Sequence, residues 1–292
     1  MSHSRLRASG LRSTGLPVFI WRAAHVGVMF CAMVFLSTAF STEAVAQTQF
    51  TRPYLPSVVS VEVVRPAFED ETLSADTGAL FVTGSYTLNE NVEIVGELPV
   101  ARAGGDEVET TTTIGNPLIG FAFSSTRLPL LVEVGGRLPV ADDNLAAELG
   151  RTADYGRGSA FLHDERQLYL LGNTRFQFGR KTSIRVRGGL VYSVFQNVVE
   201  GAQRTENDLR LRYSAQAWRE GDWLTLGFMF NGRGTTTAPG GYGGKSTHHV
   251  AGTAIIDIGK IAPGITVGLP LDGSARDVAP FILGLSIDVR LW

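Results

Sequence analysis

The sequence predicts an all-β fold: a closed, antiparallel, up-and-down transmembrane β-barrel of about 12 strands, preceded by a cleavable signal peptide. Three observations predict it: apolar and polar residues alternate strictly in many segments, short and long polar connections alternate along the chain, and the N-terminus resembles an export signal. With 34 Gly and 18% charged residues among 292, the composition disfavours helices and a disordered chain. A formal charge of −2 argues against a basic nucleic-acid binder.

Residues 1–46 have the three parts of a secretory signal peptide. Four arginines precede the first acidic residue, an apolar stretch of roughly 15 residues follows, and residues 44–46 (Ala-Val-Ala) form a small-residue cleavage site. The apolar stretch is shorter than the about 20 residues that span a bilayer, which favours cleavage over a retained anchor. Cleavage removes Cys31, four arginines and one glutamate from the 26 basic and 28 acidic residues, so residues 47–292 carry a net charge of −5 and no cysteine.

Residues 183–196 show the alternation most clearly. Ile184 and Val186 fall on one face of an extended chain, and Arg185 and Arg187 fall on the other. A period of two indicates a strand whose two faces meet different surroundings. The predicted strands are 55–64, 77–88, 91–102, 113–125, 129–140, 166–178, 182–196, 207–219, 222–233, 246–258, 264–270 and 280–292.

The connections favour a membrane barrel over a soluble periplasmic β-sandwich, whose strands would alternate in the same way. Short turns near 89–91, 125–127, 179–181, 220–222 and 259–261 alternate with long polar loops at 65–76, 103–111, 141–165, 197–207, 234–246 and 271–279. Outer-membrane barrels have even strand numbers, short periplasmic turns and long outer loops. Aromatic rings favour the lipid–water boundary, and the predicted interface aromatics beside the short turns are Tyr86, Phe176, Phe178, Trp218, Trp223 and Trp292.

An internal repeat carries a resemblance to a known family. The segment VEIVGELPVA at 92–101 recurs forty residues later as VEVGGRLPVA at 132–141, and TIGNPLIG lies between them at 113–120. Over residues 75–145 these motifs resemble the outer-membrane β-barrel transporters of the phenol meta-degradation pathway, although Ala141 stands where that family often has Gly. The resemblance implies a passive or facilitating pore for small molecules, aromatic ones among them.

If the apolar faces meet lipid, the opposite faces line the lumen. Closure of twelve strands would place the inward ionisable residues on two opposing walls, whose transverse field would orient solutes and set ion preference. The predicted acidic wall contains Glu62, Glu93, Glu97, Glu133, Asp257 and Asp288, and the predicted basic wall contains Arg175, Arg185, Arg187, Arg210 and Arg212. The alternative is that acids and arginines pair and fill the interior. Loop 141–165, the longest, is able to fold inward as a constriction, and its acidic residues fit a solvated loop better than a calcium site.

An outer-membrane hydrolase would need a nucleophile, a base and an orienting acid. The histidines after residue 46 are His163, His248 and His249, and no Gly-x-Ser-x-Gly motif occurs. Neighbouring strand residues point to opposite faces, so His248 and His249 cannot share a metal ion. We therefore expect no catalytic site, no metal and no cofactor.

The function expected from the sequence is a narrow outer-membrane channel for passive or facilitated passage of small solutes, with anionic or aromatic molecules as candidates. The alternatives are a structural or adhesion barrel with a filled lumen that acts through its outer loops and, third, a lipid-modifying enzyme. The expected partners are outer-membrane lipid, a small-molecule solute and the barrel-assembly machinery, without nucleic acid. The expected location is the outer membrane of a Gram-negative-type bacterium, after cleavage near Ala46.

Overall fold

A computed structural model describes residues 57–68, 77–105, 109–124, 130–153, 156–195, 207–235 and 246–291. The predicted signal peptide and its cleavage site lie outside these ranges. The described ranges contain the strands β1 (Val58–Pro66), β2 (Gly78–Asn89), β3 (Val92–Ala103), β4 (Thr111–Ile114), β5 (Leu118–Ser124), β6 (Leu130–Arg137), β7 (Glu165–Phe178), β8 (Thr182–Phe195), β9 (Asn207–Glu220), β10 (Leu224–Thr235), β11 (Ser246–Ile256), β12 (Ile261–Pro270) and β13 (Ile282–Arg290).

Neighbouring strands pair antiparallel around a closed ring. The order runs from β2 through β1 to β13 and then back along the chain to β3, and β2 also pairs with β3, which closes the barrel. Both β4 and β5 pair with β3, so they are two pieces of one strand position. The thirteen strands therefore occupy twelve positions, and the prediction of a closed, antiparallel, twelve-stranded barrel is confirmed.

Side chains alternate between the two faces of the wall. In β1, Val61 and Val63 are exposed while Glu62 between them is buried. In β13, Leu285 is 56% exposed and Asp288 only 3%. The apolar residues thus cover the outside of the barrel and the polar residues face inward. This is the reverse of a soluble protein, and it is the arrangement that a surrounding layer of hydrocarbon stabilises.

The connection between β6 and β7 folds back into the barrel. It contains helix α1 (Leu145–Ala153) and a 3₁₀ turn (Gly158–Phe161), and we call the described residues of 140–162 the inserted loop. Alanines of α1 and the Phe161 ring pack against the inner faces of β1, β2, β3 and β13 in one apolar cluster. The fit is close, because a Cβ at Gly150 would lie 2.7 Å from the Cβ of Ala101. The described part of the loop predicted at 141–165 therefore packs against the inner wall through these residues, as the expected inward fold requires.

A short helix, α2 (Gly273–Arg276), lies between β12 and β13. Among the described residues, no helix is long and apolar enough to cross a membrane.

The strand predicted at 113–125 is interrupted between β4 and β5, at Gly115, Asn116 and Pro117. Pro117 has no N–H to donate to a neighbouring strand. A Cβ at Gly115 would lie 2.8 Å from the ring of Phe161, so glycine is required where the wall touches the inserted loop. The interruption is therefore the place where the wall receives the inserted loop.

Two of the tight turns depend on glycine. Gly179, after β7, and Gly259, after β11, have φ values of 67° and 64°, which side chains disfavour. Because the strands are antiparallel, these turns lie at one end of the barrel and the inserted loop enters from the other. The turn predicted at 125–127 lies outside the described residues.

Candidate functional site in the barrel lumen

The ionisable residues predicted to line the lumen lie on the inward face of the wall. The acidic members Glu62, Glu93, Glu97, Glu133 and Asp288 are buried, and Asp257 is half-buried just beyond the end of β11. Among the basic members, Arg185 is buried, and Arg175, Arg187, Arg210 and Arg212 are half-buried. So many inward charges are stable only if partners of opposite charge lie close to them, and many of these residues form direct ion pairs.

The prediction of two opposing charged walls is wrong for Glu133 and its partners. Glu133 on β6 forms an ion pair with Arg187 on β8 and lies 3.6 Å from a guanidinium nitrogen of Arg185. The Asn173 side chain on β7 donates to Glu133 over 3.3 Å. The strand order places β6 and β8 only two strands apart, within the reach of an arginine, so acid and base meet along the wall instead of across the lumen.

The same pairing occurs elsewhere on the inward face. A guanidinium nitrogen of Arg210 lies 2.8 Å from Glu165, and one of Arg175 lies 3.8 Å from Glu220. Asp257 pairs with Arg290. Glu165 was assigned to a solvated loop, but it is the first residue of β7 and is fully buried. These pairs support the alternative in which part of the interior is filled.

Arg157 of the inserted loop is a central residue that the sequence pattern does not reveal. Its side chain is only 4% exposed; it lies 2.5 Å from Glu62 and 3.6 Å from Glu97. Its guanidinium also lies 3.6 Å from the centre of the Phe81 ring. Arg137, likewise absent from the prediction, forms a second ion pair with Glu97. Arg157 thus joins the inserted loop to β1, β2 and β3 by charge and by contact with an aromatic face.

Asn116 holds both ends of the inserted loop to the interrupted strand. Its side-chain amide donates to the carbonyl oxygens of Ser159, at 3.3 Å, and Leu162, at 2.7 Å. Its side-chain oxygen accepts from the backbone N–H groups of Val140, at 2.7 Å, and Ala141, at 2.9 Å. One buried side chain therefore satisfies four backbone groups, two where the loop enters the barrel and two where it leaves.

Two cavities that share lining residues lie beside the inserted loop. The first, which we call the lower cavity, is lined by Val95, Glu97, Leu118, Glu133, Arg137, Arg157, Tyr169, Leu171, Arg187 and Arg212. The second, which we call the upper cavity, is lined by Gly156, Leu171, Arg187, Arg212, Tyr213, Ser214, Asn231, Gly232, Arg233, Thr247 and His249. Both linings include Leu171, Arg187 and Arg212, so the two cavities are neighbours in the barrel.

Most of the predicted interface aromatics lie on the outer surface. Phe176, Phe178 and Trp223 are exposed, Trp223 by 65%, and Tyr86 is half-buried. The prediction that Trp218 lies at the lipid interface is wrong. Its side chain is 3% exposed and packs inside the barrel with Ile255 and Ala262. The alternation of β9 places it on the inward face, and its indole N–H donates to Gln216 over 3.2 Å. Trp292 lies outside the described residues.

The adjacent histidines of β11 point to opposite faces. His249 faces the lumen, where its Nε2 lies 3.0 Å from the Asn231 amide. His248 faces outward; its Nε2 lies 2.7 Å from the Tyr213 hydroxyl and its Nδ1 lies 3.3 Å from Asp272. This chain of contacts ties the segment after β12 to the outer wall. Within the described ranges, no group of three or more His, Cys, Asp or Glu residues could hold a metal ion.

Comparison with known proteins matches the fold and not the sequence. No family model and no curated protein matches the chain. The COG4313 outer membrane channel from Pseudomonas putida F1 is similar in structure, with a TM-score of 0.53 and 13% identity over 84% of this chain and 99% of that one. The NanC porin has a TM-score of 0.51 and 8% identity over 80% and 100%. The translocator domain of autotransporter NalP from Neisseria meningitidis has a TM-score of 0.50 and 12% identity over 96% and 100%. The fold is therefore that of an outer-membrane β-barrel.

Proposed function

We propose that the protein is an outer-membrane channel through which small solutes pass passively. The observation that carries the proposal is the pair of cavities with shared lining residues beside the inserted loop, inside a closed barrel with an apolar outer surface. In this proposal the inserted loop sets the upper size of the solute.

The proposal includes export and assembly. The signal peptide is cleaved near Ala46, and the barrel-assembly machinery inserts the chain into the outer membrane. Lipid then covers the exposed apolar residues of the strands, and the rings of Phe176, Phe178 and Trp223 lie near the boundary with water.

A structural or adhesion barrel with a filled lumen is the second candidate, because buried ion pairs and the inserted loop occupy much of the interior. Barrels of 8 strands enclose only side chains, whereas those of about 16 leave an aqueous channel. Twelve strands lie between these limits. Solute flux therefore distinguishes the two functions: a filled barrel passes nothing, and its outer loops carry the activity.

Liposome swelling tests the proposal. Vesicles that contain the folded protein are diluted into solutions of a neutral sugar, a small carboxylate or a small aromatic molecule, and light scattering reports entry. We expect swelling with the smallest solutes and a steep fall as solute size increases, because the inserted loop limits the passage. Empty vesicles and the variant Arg219→Gln, altered only on the exposed face of β9, are the controls. Folded protein that admits none of the solutes contradicts the channel and favours the filled barrel.

A further inference from the structure

Ionisable residues are rare on the outward face of the strands, and those that occur there are basic. Among the described strand residues, the outward positions carry four arginines and one histidine and no aspartate or glutamate; the five residues are Arg65, Arg102, Arg166, Arg219 and His248. The inward positions carry charges of both signs. The bias toward basic residues therefore belongs to the outer face alone.

Three of these arginines lie at the end of the barrel from which the inserted loop enters. Arg65 in β1, Arg102 in β3 and Arg166 in β7 are each one residue from the end of their strand, and we call them the basic rim. The next outward residues along the same strands are apolar, namely Val63, Val100 and Leu168. The basic rim therefore borders the apolar surface at the depth where lipid headgroups would lie.

The cost of placing a charge against lipid does not explain the sign of the basic rim. On the lipid face of a barrel, arginine is most destabilising at the middle of the bilayer and is tolerated near its surface, and acidic residues are less destabilising than arginine. This cost alone would admit aspartate and glutamate at the rim as readily as arginine. A face that carries only basic residues at this depth is instead complementary to a layer of negatively charged headgroups.

Two members of the basic rim lie close enough to bind one headgroup together. Gly78 on β2 is directly opposite Arg102 on β3, and a Cβ at Gly78 would lie 3.5 Å from the Cα of Arg65 on β1. Since neighbouring strands are about 4.8 Å apart, roughly 10 Å separates the Cα atoms of Arg65 and Arg102. Glycine leaves the surface between them without a side chain, so both guanidinium groups can reach the same phosphate.

Arginine suits a phosphate ligand because its planar guanidinium group has five N–H donors, two of which match a pair of phosphate oxygens. A guanidinium group that also contacts a neighbouring side chain keeps donors for the phosphate. The binding therefore depends on where the two arginines lie, and it does not require that either of them lacks another partner.

We propose that Arg65 and Arg102 form a binding site for the phosphate group of an outer-leaflet lipid, and that Arg166 extends the basic rim to β7. The phosphate lies over Gly78, and the acyl chains of the lipid lie along the apolar residues that the rim borders. This inference rests on the outer-membrane location of the barrel and not on the proposed channel function. A barrel that passes no solute would still bind the lipid.

Native mass spectrometry of the folded protein in detergent tests the site with two lipids that have the same acyl chains, phosphorylated lipid A and its dephosphorylated form. We expect tighter binding of the phosphorylated form, and added salt should reduce the difference because exposed charges are screened. Arg65→Gln and Arg102→Gln should each weaken binding of the phosphorylated form about fivefold, the contribution typical of one basic residue near an anionic lipid surface. The double variant should bind the two lipids equally.

Arg219→Gln is the matched control, because Arg219 is an outward arginine at the opposite end of the barrel. This variant should keep the preference for the phosphorylated lipid, and a gel-mobility shift on heating confirms that each variant is folded. Equal binding of the two lipids by the unaltered protein, or a preference that survives in the double variant, would overturn the site. So would an equal loss of preference in Arg219→Gln. None of these results depends on solute flux, so failure of the lipid site leaves the channel proposal intact.

Discussion

Asn116→Ala is expected to release the inserted loop from the barrel wall. The substitution removes all four hydrogen bonds that the Asn116 side chain makes with the loop backbone. Alanine is smaller than asparagine, so its side chain fits at this position without a clash. The wall itself should remain closed, since none of these four bonds joins one strand to another.

The expected loss of stability follows from the number and the burial of these hydrogen bonds. Each bond contributes about 0.5–1.5 kcal/mol net, and a buried backbone group that is left without a partner costs about 1–3 kcal/mol. Two of the four bonds are buried and two are half-buried, so water compensates for part of the loss. We expect the free energy of unfolding to fall by about 3 kcal/mol.

Equilibrium unfolding in urea, followed by tryptophan fluorescence of the barrel in lipid vesicles, measures this loss. Trypsin reports the loop directly, because Arg157 is buried beside Glu62 and becomes accessible when the loop leaves the lumen. The matched control is Asn89→Ala, at the exposed last residue of β2, whose side chain accepts a single bond from the Asn91 N–H. A variant at position 116 as stable and as trypsin-resistant as the control would refute the reasoning.

Two further predictions test the ion pairs of Glu133 and the assignment of the outer face of the barrel. Glu133→Gln leaves Arg185 and Arg187 without their shared buried carboxylate, so urea unfolding should show a loss of about 3–5 kcal/mol; an unchanged midpoint would contradict a structural role for the pair. Two variants that each keep one tryptophan, the others being replaced by Phe, test the outer face with brominated lipid. The lipid should quench the fluorescence of exposed Trp223 and leave that of buried Trp218 unchanged. Stronger quenching of Trp218 than of Trp223 would show that the outer face is misassigned.

The period-two alternation predicts most of the wall, because it reflects the physical difference between the two faces of each strand. It also predicts the inward position of Trp218, two residues after Gln216 on β9. The rule that aromatic residues beside short turns belong to the lipid boundary led to the opposite assignment, since it considers depth and not face. Along a strand, the alternation of faces predicts whether a ring points outward more reliably than its distance from a turn does.

The inserted loop was less predictable, because it has no repeating pattern and its position depends on packing. Arg157 has no strand phase from which its inward position could be inferred. Arg137 did have a signal: in the repeat it stands where the first copy has Glu97, and the two residues pair across β5. A repeat that exchanges an acid for a base at one inward position therefore indicates an ion pair between the two copies.

Thiol labelling of two neighbouring residues on β9 tests the central claim that the cavities inside the barrel contain water and that lipid covers the outside. Ser214 lines the upper cavity and Ala215 is exposed on the outer face. The sole cysteine, Cys31, lies in the predicted signal peptide, so Ser214→Cys and Ala215→Cys each introduce a single thiol into the barrel. We predict that an anionic, membrane-impermeant thiol reagent lowers the current through Ser214→Cys channels and leaves Ala215→Cys channels unchanged. Current loss at position 215 alone, or at neither position in conducting channels, would contradict the account.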